Sequence, residues 1–455
     1  MDKQNFIDTV RSAGIVGEGG AGFPAHVKYD ASVDTVIANG CECEPLLHTD
    51  LHILCHEGAA IGRAMRALGD AAGASRLVLG LKKKHMGVAS RLREELAAFG
   101  VDVFLLDDFY PAGDEQILLR EVTGRSVPPL DIPLRAGAIV ANVGTLARVS
   151  AALEGKAFTD KILTVAGEVA NPGLLRAPLG TPLLSCLERC GGPLPPDPVF
   201  IIGGPMMGRI VSGLEALSRE TVTKTTGGLI ALPAGHPLHK NALLDERVMR
   251  RRAASACIQC RACSDLCPRG LIGHPFETHL VMRAFAAGNE RSENVASAVM
   301  CSECGVCEQY ACPMGMSPRR VNQRVKGALR EARISYAGSR AVREDKTFWR
   351  EWRKIPTRRL AGRLGLDPYM DIETPFLGDM APPAVSIPLR QHIGAPARPV
   401  VTPGQSVAKG DLVGEIPEGS LGARVHASLS GTVAAILDGA VRIERADQPE
   451  LTPKQ

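Results

Sequence analysis

Two cysteine runs near the middle of the chain restrict its fold more strongly than any other feature. They contain eight of the 13 cysteines. The first run reads Cys-x2-Cys-x2-Cys-x3-Cys-Pro from Cys257, and the second reads Cys-x2-Cys-x2-Cys-x4-Cys-Pro from Cys301. Three closely spaced thiolates let a loop fold around a cubic iron–sulfur cluster, while the fourth thiolate, before proline, ligates the other cluster. The two runs therefore predict a domain that binds two [4Fe–4S] clusters.

The fourth cysteine of each run is expected to ligate the cluster of the other run, an exchange that we call the crossing. It divides the eight thiolates into two sets. Set one is Cys257, Cys260, Cys263 and Cys312, and set two is Cys267, Cys301, Cys304 and Cys307. The second run has one more residue before its last cysteine than the first, so spacing alone does not fix the crossing. The alternative is a pair of zinc knuckles, but such sites need only two Cys-x-x-Cys pairs rather than two triplets that each lead to Cys-Pro.

The length of 455 residues predicts several domains, each large enough to bury its own core. With 48 glycines, 32 prolines and 4% aromatic residues, the chain should contain many short elements and turns. It has no apolar run long enough to span a bilayer, no signal-peptide character at its start and no secreted-type disulfide framework. These features predict a soluble, cytoplasmic protein without a direct membrane span.

Apolar, strand-like runs alternate with helical stretches through the first third of the chain. The strand-like runs lie at 35–38, 77–79, 101–106 and 138–141. This alternation predicts a mostly parallel sheet whose ligand crevice lies at the carboxyl ends of the strands. The predicted domains are a Rossmann-like α/β domain (1–155), a small β domain (160–235), a helical two-cluster ferredoxin-like domain (240–335), a basic linker (336–385) and a C-terminal β unit (386–448).

The segment after the cysteine runs is strongly basic. Residues 317–363 carry 15 Lys or Arg against four Asp or Glu, and they include both tryptophans, Trp349 and Trp352. We interpret the segment as a solvated helical linker that wraps the cluster domain, with a docking face for an acidic partner as the alternative. Nucleic-acid binding is not predicted, because no recognised nucleic-acid module accompanies the charge.

A glycine-rich loop near the start is the second strong signal. Residues 17–24 read Gly-Glu-Gly-Gly-Ala-Gly-Phe-Pro, and Lys28 follows. Closely spaced glycines let backbone N–H groups approach a phosphate or a flat ring, and the lysine can neutralise charge. The alternative is a tight surface turn.

Two further segments follow predicted strands, where ligands bind in parallel sheets. One runs from Asn39 to Pro45 and includes Glu42 and Glu44, and the other runs from Asn142 to Thr145. Acidic residues in this place suit ribose hydroxyls and would repel an extra phosphate, which favours NADH over NADPH. A metal site is the alternative for the nearby cysteines and histidines, but their spacing matches no familiar metal site. They are Cys41, Cys43, Cys55, His48, His52 and His56.

The loop at 17–28, the Glu42-x-Glu44-Pro45 motif and the Asn142-x-x-Thr145 motif together resemble one known family. It is the FMN- and NADH-binding domain shared by the flavoprotein subunit of respiratory complex I and the C subunit of the Rnf electron-transport complex. Residues 161–225 resemble the soluble-ligand-binding β-grasp (SLBB) domain of that family, and 387–448 resemble its barrel-sandwich module. The resemblance implies a multidomain α/β fold in which the sandwich comes last, whereas it comes first in the Rnf subunit.

The resemblance also implies roles for individual residues. Hydride would pass from NADH to FMN and single electrons would pass on through the clusters, so no catalytic side chain is required. Phe23 would stack near the nicotinamide or adenine ring, and Glu42 and Glu44 would contact the NADH side. The residues implied to line FMN are Gly17, Gly19, Gly20, Gly22, Lys28, Asn39, Asn142 and Thr145.

Domain order and size resemble the cobalamin (corrinoid) reductases of propanediol-utilisation microcompartments. This resemblance implies cobalamin as the electron acceptor, a corrinoid adenosyltransferase and shell proteins as partners, and a place inside a bacterial microcompartment. The sandwich also resembles lipoyl and biotinyl carriers, but its tip at 427–431 has no lysine to modify. The alternatives are an Rnf-like NADH:ferredoxin or quinone-linked subunit, and a non-catalytic microcompartment scaffold whose clusters are structural.

Overall fold

The computed structural model describes residues 1–445, and it has the multidomain α/β architecture that the sequence predicts. Residues 446–448, the end of the predicted C-terminal unit, and the tail 449–455, which we predict to be frayed, lie outside the described residues. None of the helices in residues 1–445 is long and apolar enough to cross a membrane.

The first domain is built around a parallel sheet. Its elements are α1 (Lys3–Ser12), α2 (Ala25–Tyr29), β1 (Thr35–Asn39), α3 (Thr49–His56), α4 (Gly58–Ala72), β2 (Arg76–Lys82), α5 (Met86–Ala97), β3 (Val101–Leu106), β4 (Phe109–Tyr110), α6 (Glu115–Thr123), β5 (Ala138–Asn142) and α7 (Val143–Leu153). Four strands pair in the order β3-β2-β1-β5, all parallel, which confirms the predicted sheet. The register pairs Asn39 with Asn142, so the two predicted ligand segments leave the same edge of the sheet.

The second domain is a β-grasp-like mixed sheet. Its elements are β6 (Asp160–Gly167), β7 (Gly173–Pro178), α8 (Leu183–Arg189), β8 (Pro198–Ile202), β9 (Arg209–Ser212), α9 (Leu214–Leu217) and β10 (Gly228–Pro233). Strand β10 runs parallel to β6 and antiparallel to β8. The fully buried Cys186 and Cys190 belong to the core of this domain, together with Leu183 and Leu187.

The cluster domain is helical. It contains α10 (Pro237–Ala242), α11 (Glu246–Ala256), α12 (Ala262–Asp265), α13 (Pro268–Leu271), α14 (Thr278–Ala286), a 3-10 helix (Glu293–Met300), a π-helical turn (Cys307–Ala311) and α15 (Pro318–Glu331). Its core is formed by one apolar face each of α11, α14 and α15, with Met249, Phe285 and Val325 buried between them.

Residues 336–385, which the sequence predicts as a basic linker, are integrated into the neighbouring sheets. They contain α16 (Glu344–Thr347), β11 (Ile355–Pro356), α17 (Thr357–Leu364) and β12 (Phe376–Asp379). Strand β11 pairs with β4 of the first domain, and β12 pairs with β7 of the second domain. Two of the basic side chains, Arg350 and Lys354, are mostly buried because both pair with Glu121 on α6.

The C-terminal unit consists of two small antiparallel sheets with a shared apolar core. Its strands are β13 (Ala384–Pro388), β14 (Arg398–Pro399), β15 (Ser406–Val407), β16 (Leu412–Glu415), β17 (Val425–His426), β18 (Gly431–Leu437) and β19 (Ala440–Arg445). The strand orders are β13-β19-β18-β15 and β14-β16-β17. Val385, Val413 and Val433 are fully buried between the sheets, as in a sandwich of short strands.

Lys224 lies where the first, second and C-terminal units meet. Its side chain is fully buried, and Nζ donates hydrogen bonds to the carbonyl oxygens of Gly14 at 2.7 Å and Arg424 at 2.6 Å. Its backbone N–H donates to Gln391 Oε1 at 3.0 Å. Burial lowers the pKa of Lys224 to about 7. A neutral amine has two N–H groups, which matches the two carbonyl acceptors.

We expect Lys224→Met to destabilise the protein in a pH-dependent way. Two buried carbonyls would lose their donor, at a cost of about 1–3 kcal/mol each. An unfolded lysine titrates near pH 10, so between about pH 7 and 10 the unfolded chain binds more protons than the folded one, and the stability contributed by Lys224 rises with pH. The melting-temperature difference between the wild type and Lys224→Met should therefore grow from pH 7 to pH 10.

The control for this prediction is Lys240→Met, which alters an exposed lysine. Its melting-temperature difference from the wild type should be small and constant over the same pH range. A constant difference for Lys224→Met as well would mean that Lys224 does not titrate in the folded protein between these pH values.

Candidate functional site

The glycine-rich loop closes on itself above the edge of the parallel sheet. Gly17 N–H donates to the Phe23 carbonyl at 2.9 Å, and Val16 pairs with Pro24 as an antiparallel bridge. The tip at Gly19 and Gly20 is exposed. A side chain at Gly20 would contact nothing within 4 Å, and its φ of 114° favours glycine. The loop therefore borders an open space that a flat ligand could fill.

The loop is held to the first turn of α7. Glu18 N–H donates to Thr145 Oγ1 at 2.9 Å. Asn142 caps this helix by accepting a hydrogen bond from Gly144 N–H at 2.8 Å, and its Nδ2 donates to Asp50 Oδ2 at 2.8 Å. The structure thus brings together the loop and the Asn142-x-x-Thr145 motif at the N-terminus of an 11-residue helix, a position that attracts phosphate.

The remaining predicted residues lie around this edge with partners of their own. Asn39 Nδ2 donates to the Gly113 carbonyl at 2.8 Å. Phe23 is half-buried, and Lys28 forms an ion pair with Glu115 on α6. Gly22 is buried against the C-terminal unit, since a side chain there would lie 3.1 Å from His392 Cα.

The two glutamates of the Glu42-x-Glu44 motif are half-buried. Glu42 Oε2 accepts a hydrogen bond from Asp50 N–H at 3.0 Å, in the first turn of α3. Glu44 Oε2 accepts one from Met206 N–H at 2.8 Å, in the loop after β8 of the second domain. Burial raises the pKa of Glu42 to about 8 and that of Glu44 to about 7, so both carboxyl groups are partly protonated near neutral pH.

Sequence reasoning missed a group of charged residues beneath the loop. The buried Glu18 carboxylate pairs with Lys161 on β6, and its Oε1 lies 3.6 Å from Arg148 Nε on α7. Asp50 is close by, and burial raises its pKa to about 6 although Lys161 and Asn142 oppose this shift. No sequence signal connects Glu18 with Lys161, because they are far apart in the chain and in different domains.

The four cysteines of set one line a single cavity with His279, Met282, Met316 and Pro318. Burial, followed by the charges of Cys312, Cys257 and Cys260, raises the pKa of Cys263 to about 12. The same relation holds in set two, where burial and then the charges of Cys267 and Cys301 act on Cys304 and raise its pKa to about 12. The structure therefore brings Cys312 beside the first loop and Cys267 beside the second, while the assignment of ligands to each cluster stays a prediction.

The two cysteine loops share one backbone conformation. In the first run the residues two and four positions after the first cysteine, Gln259 and Arg261, have φ values of 54° and 66°. The equivalent residues of the second run, Glu303 and Gly305, have φ values of 61° and 84°. Alternating left-handed residues turn successive N–H groups toward one centre, where they can donate to sulfur. Both loops therefore have a backbone conformation suited to thiolate-bound iron–sulfur chemistry, although no three cysteine, histidine or acidic side chains in residues 1–445 are close enough as placed to hold a metal ion.

The π-helical turn accommodates the extra residue between the last two cysteines of the second run. Cys263 and Cys267 are four residues apart across the α-helical turn of α12, whereas Cys307 and Cys312 are five apart across the turn Cys307–Ala311. A π turn spans one residue more than an α turn. Each fourth cysteine can consequently reach the other loop despite the unequal spacing.

Set two lies against the first two domains. The hydroxyl of the buried Tyr110, on β4, donates to the Cys304 carbonyl at 2.6 Å. The Met206 carbonyl accepts a hydrogen bond from Arg319 Nη1 at 2.7 Å, and Met206 packs over Gly305. Because Glu44 binds the N–H of the same Met206, the motif after β1 is connected to the set-two loop through one residue.

Four family models match successive parts of the chain. They are the Nuo51 FMN-binding domain (10–151), the SLBB domain (162–210), the 4Fe-4S dicluster domain (256–317) and the RnfC barrel sandwich hybrid domain (374–448). These matches confirm the predicted resemblance and fold class. The protein thus carries an FMN-binding domain and an iron–sulfur domain.

Known relatives extend over nearly the whole chain. Cobalamin reductase PduS of Citrobacter freundii is 41% identical over 98% of this chain and 97% of its own length. The Salmonella typhimurium protein of the same name is 40% identical over 96% of each chain. The C subunit of the Na(+)-translocating ferredoxin:NAD(+) oxidoreductase complex of Acetobacterium woodii is 30% identical over 59% of this chain and 58% of its own. The chain therefore belongs to the PduS cobalamin reductase family, within the broader group that includes the Rnf C subunits.

Proposed function

We propose that this protein is an NADH-dependent oxidoreductase that passes electrons through FMN and two [4Fe–4S] clusters to cobalamin. The observation that carries the proposal is the near full-length relationship to two proteins named cobalamin reductase. The two cysteine sets and the open glycine loop support it, because they supply sites for one-electron and two-electron carriers in one chain. FMN can accept two electrons as hydride and release them singly, while the protein sets position and potential.

FMN would be held at the edge of the parallel sheet. Backbone N–H groups of Gly19 and Gly20 at the exposed tip are available to it, while Gly17 closes the loop by donating to the Phe23 carbonyl. The N-terminus of α7, with Asn142 and Thr145, suits the phosphate of FMN. Asn39 and Lys28 complete the proposed set, and Gly22, which is buried against the C-terminal unit, supports the loop from behind. Phe23, Glu42 and Glu44 would lie on the NADH side. The two glutamates fix the loops that border the site, because each accepts a backbone hydrogen bond.

Membership of the PduS family supports two kinds of partner and one location for this protein. A corrinoid adenosyltransferase would use the reduced cobalamin, and shell proteins would enclose the enzyme. The protein would then act inside a propanediol-utilisation microcompartment in the cytoplasm.

Asn142→Ala should weaken FMN binding. The substitution removes the cap of α7 and the hydrogen bond to Asp50, which together correspond to roughly tenfold in the dissociation constant. Titrating deflavinated protein with FMN and following flavin fluorescence would measure the change. Asp2→Ala is the matched control, because Asp2 caps α1 in the same way by accepting from Asn5 N–H at 2.8 Å. Equal FMN affinities in the two variants would contradict the proposed site.

The crossing of the cluster ligands can be tested by four single substitutions. Cys257→Ala and Cys312→Ala should alter the same electron paramagnetic resonance signal of the reduced protein, and Cys267→Ala and Cys304→Ala should alter the other one. Cys186→Ala, in the core of the second domain, should leave both signals unchanged. If Cys312→Ala instead changes the signal that Cys304→Ala changes, each run holds its own cluster and the crossing is wrong.

The function itself is tested by an anaerobic titration of reconstituted protein with NADH, followed by addition of hydroxocobalamin. Flavin and iron–sulfur absorbance should bleach with NADH and recover as the cobalamin spectrum shifts to the reduced form. NADPH in place of NADH is the control and should bleach the protein poorly, because an acidic side chain in this position accepts a hydrogen bond from the ribose hydroxyl that NADPH replaces with a phosphate. Bleaching without any change in cobalamin would move the acceptor to a ferredoxin or quinone.

A further inference from the structure

The two cysteine sets differ strongly in their access to solvent. In set two Cys267, Cys304 and Cys307 are buried, and only Cys301 is partly accessible. In set one Cys260 is exposed, and Cys257, Cys263 and Cys312 are each partly accessible. A carrier held by set one would therefore be open to solvent, whereas one held by set two is covered by protein.

The covered set faces the source of electrons. Tyr110 of the first domain donates to the Cys304 carbonyl, and Met206 connects Glu44 with the loop of set two. The set-one cavity, in contrast, is lined by residues of the cluster domain itself, all between 257 and 318. The rate of electron transfer falls steeply with distance. Electrons from a flavin at the edge of the parallel sheet would therefore reach set two first and set one, which is nearer to solvent, second.

The mouth of the set-one cavity carries large apolar side chains that are exposed to solvent. We define the collar as Ile258, Gln259, Arg261 and Met314, all of which line the cavity. Ile258 is 61% exposed and Met314 is 40% exposed. Two large, exposed apolar side chains therefore line this cavity, where they are open to contact by a ligand.

The collar is surrounded by positive charge. The Arg261 side chain is about half exposed, with Glu277 at 3.6 Å as its ion-pair partner. Arg252 donates to the Gly315 carbonyl at 2.9 Å, and Arg363 donates to the Cys312 carbonyl at 3.4 Å. Arg261 therefore lines the cavity, and Arg252 and Arg363 lie beside the backbone of 312–315, so positive charge for an anionic group of a ligand is available next to the apolar rim.

We propose that the acceptor corrinoid docks on the collar, so that electrons enter at set two and leave at set one. This inference rests on the proposed function. A corrinoid presents methyl groups around its macrocycle, which suit Ile258 and Met314, and one phosphodiester in its nucleotide loop, which suits Arg261. One NADH reduces two Co(III) to two Co(II), and one NAD+ and one proton are released, so that electrons and charge balance.

The collar is tested with Ile258→Glu and Met314→Glu, each of which replaces an apolar contact with a negative charge. The affinity for cob(II)alamin, measured by anaerobic equilibrium dialysis, and the rate of cobalamin reduction by NADH should each fall about tenfold, the equivalent of one lost apolar contact. Leu437→Glu is the control, because Leu437 is 70% exposed on the C-terminal unit, away from the collar. Unchanged affinity and rate in both collar variants would overturn the proposal.

Arg261→Gln gives a second test that does not depend on apolar contacts. Binding of cobalamin should weaken, whereas binding of cobinamide, which lacks the nucleotide phosphodiester, should not. Equal effects on the two corrinoids would contradict the role of Arg261, and slower reduction of a ferredoxin with unchanged cobalamin binding would make the collar a protein-docking site. Iron content and paramagnetic resonance spectra report whether the variants retain their clusters.

Failure of this inference can be distinguished from failure of the proposed function. Flavin bleaching by NADH and cobalamin reduction by the wild-type protein test the proposed function. If both occur and the collar variants behave as the wild type does, only the docking site is wrong.

Discussion

The exchange of one cysteine between the two runs is the constraint on which the rest of the cluster domain depends. Cys267 groups with the second loop and Cys312 with the first, so neither set is complete until both loops have formed. Helix α14 and the 3-10 helix lie between the runs and keep the loops side by side. Since a preformed site rarely exists in an unfolded chain, ligand binding at either set would contribute to the folding of both.

A second constraint fixes the glycine loop against the second domain. Glu18, Lys161 and Arg148 are all largely buried, with side-chain exposures of 1%, 4% and 13%. Removing one partner of a buried pair leaves an uncompensated charge and typically costs about 3–5 kcal/mol. The loop is therefore held rigidly below its exposed tip, which leaves Gly19 and Gly20 free to approach a ligand.

Much of this arrangement could be predicted because the relevant signals are local. Alternation of apolar runs gives the parallel sheet, and parallel strands that end in Asn39 and Asn142 bring their motifs to one edge. The cysteine spacing favours the crossing without fixing it, and the π turn Cys307–Ala311 depends on backbone geometry that spacing does not reveal. The contacts of 336–385 were missed because β11 has only two residues and because Arg350 and Lys354, which composition marks as solvated, are paired with Glu121.

The difference in exposure between the two sets follows from one position that the loops share. Arg261 and Gly305 occupy the same left-handed position in their runs, which costs a residue other than glycine about 1–2 kcal/mol. At Gly305 a side chain would lie only 3.2 Å from Met206 Cε, so glycine allows the second domain to cover set two. At Arg261 the side chain extends into solvent instead. Two loops with nearly the same cysteine spacing and backbone therefore provide one largely covered and one open cysteine set.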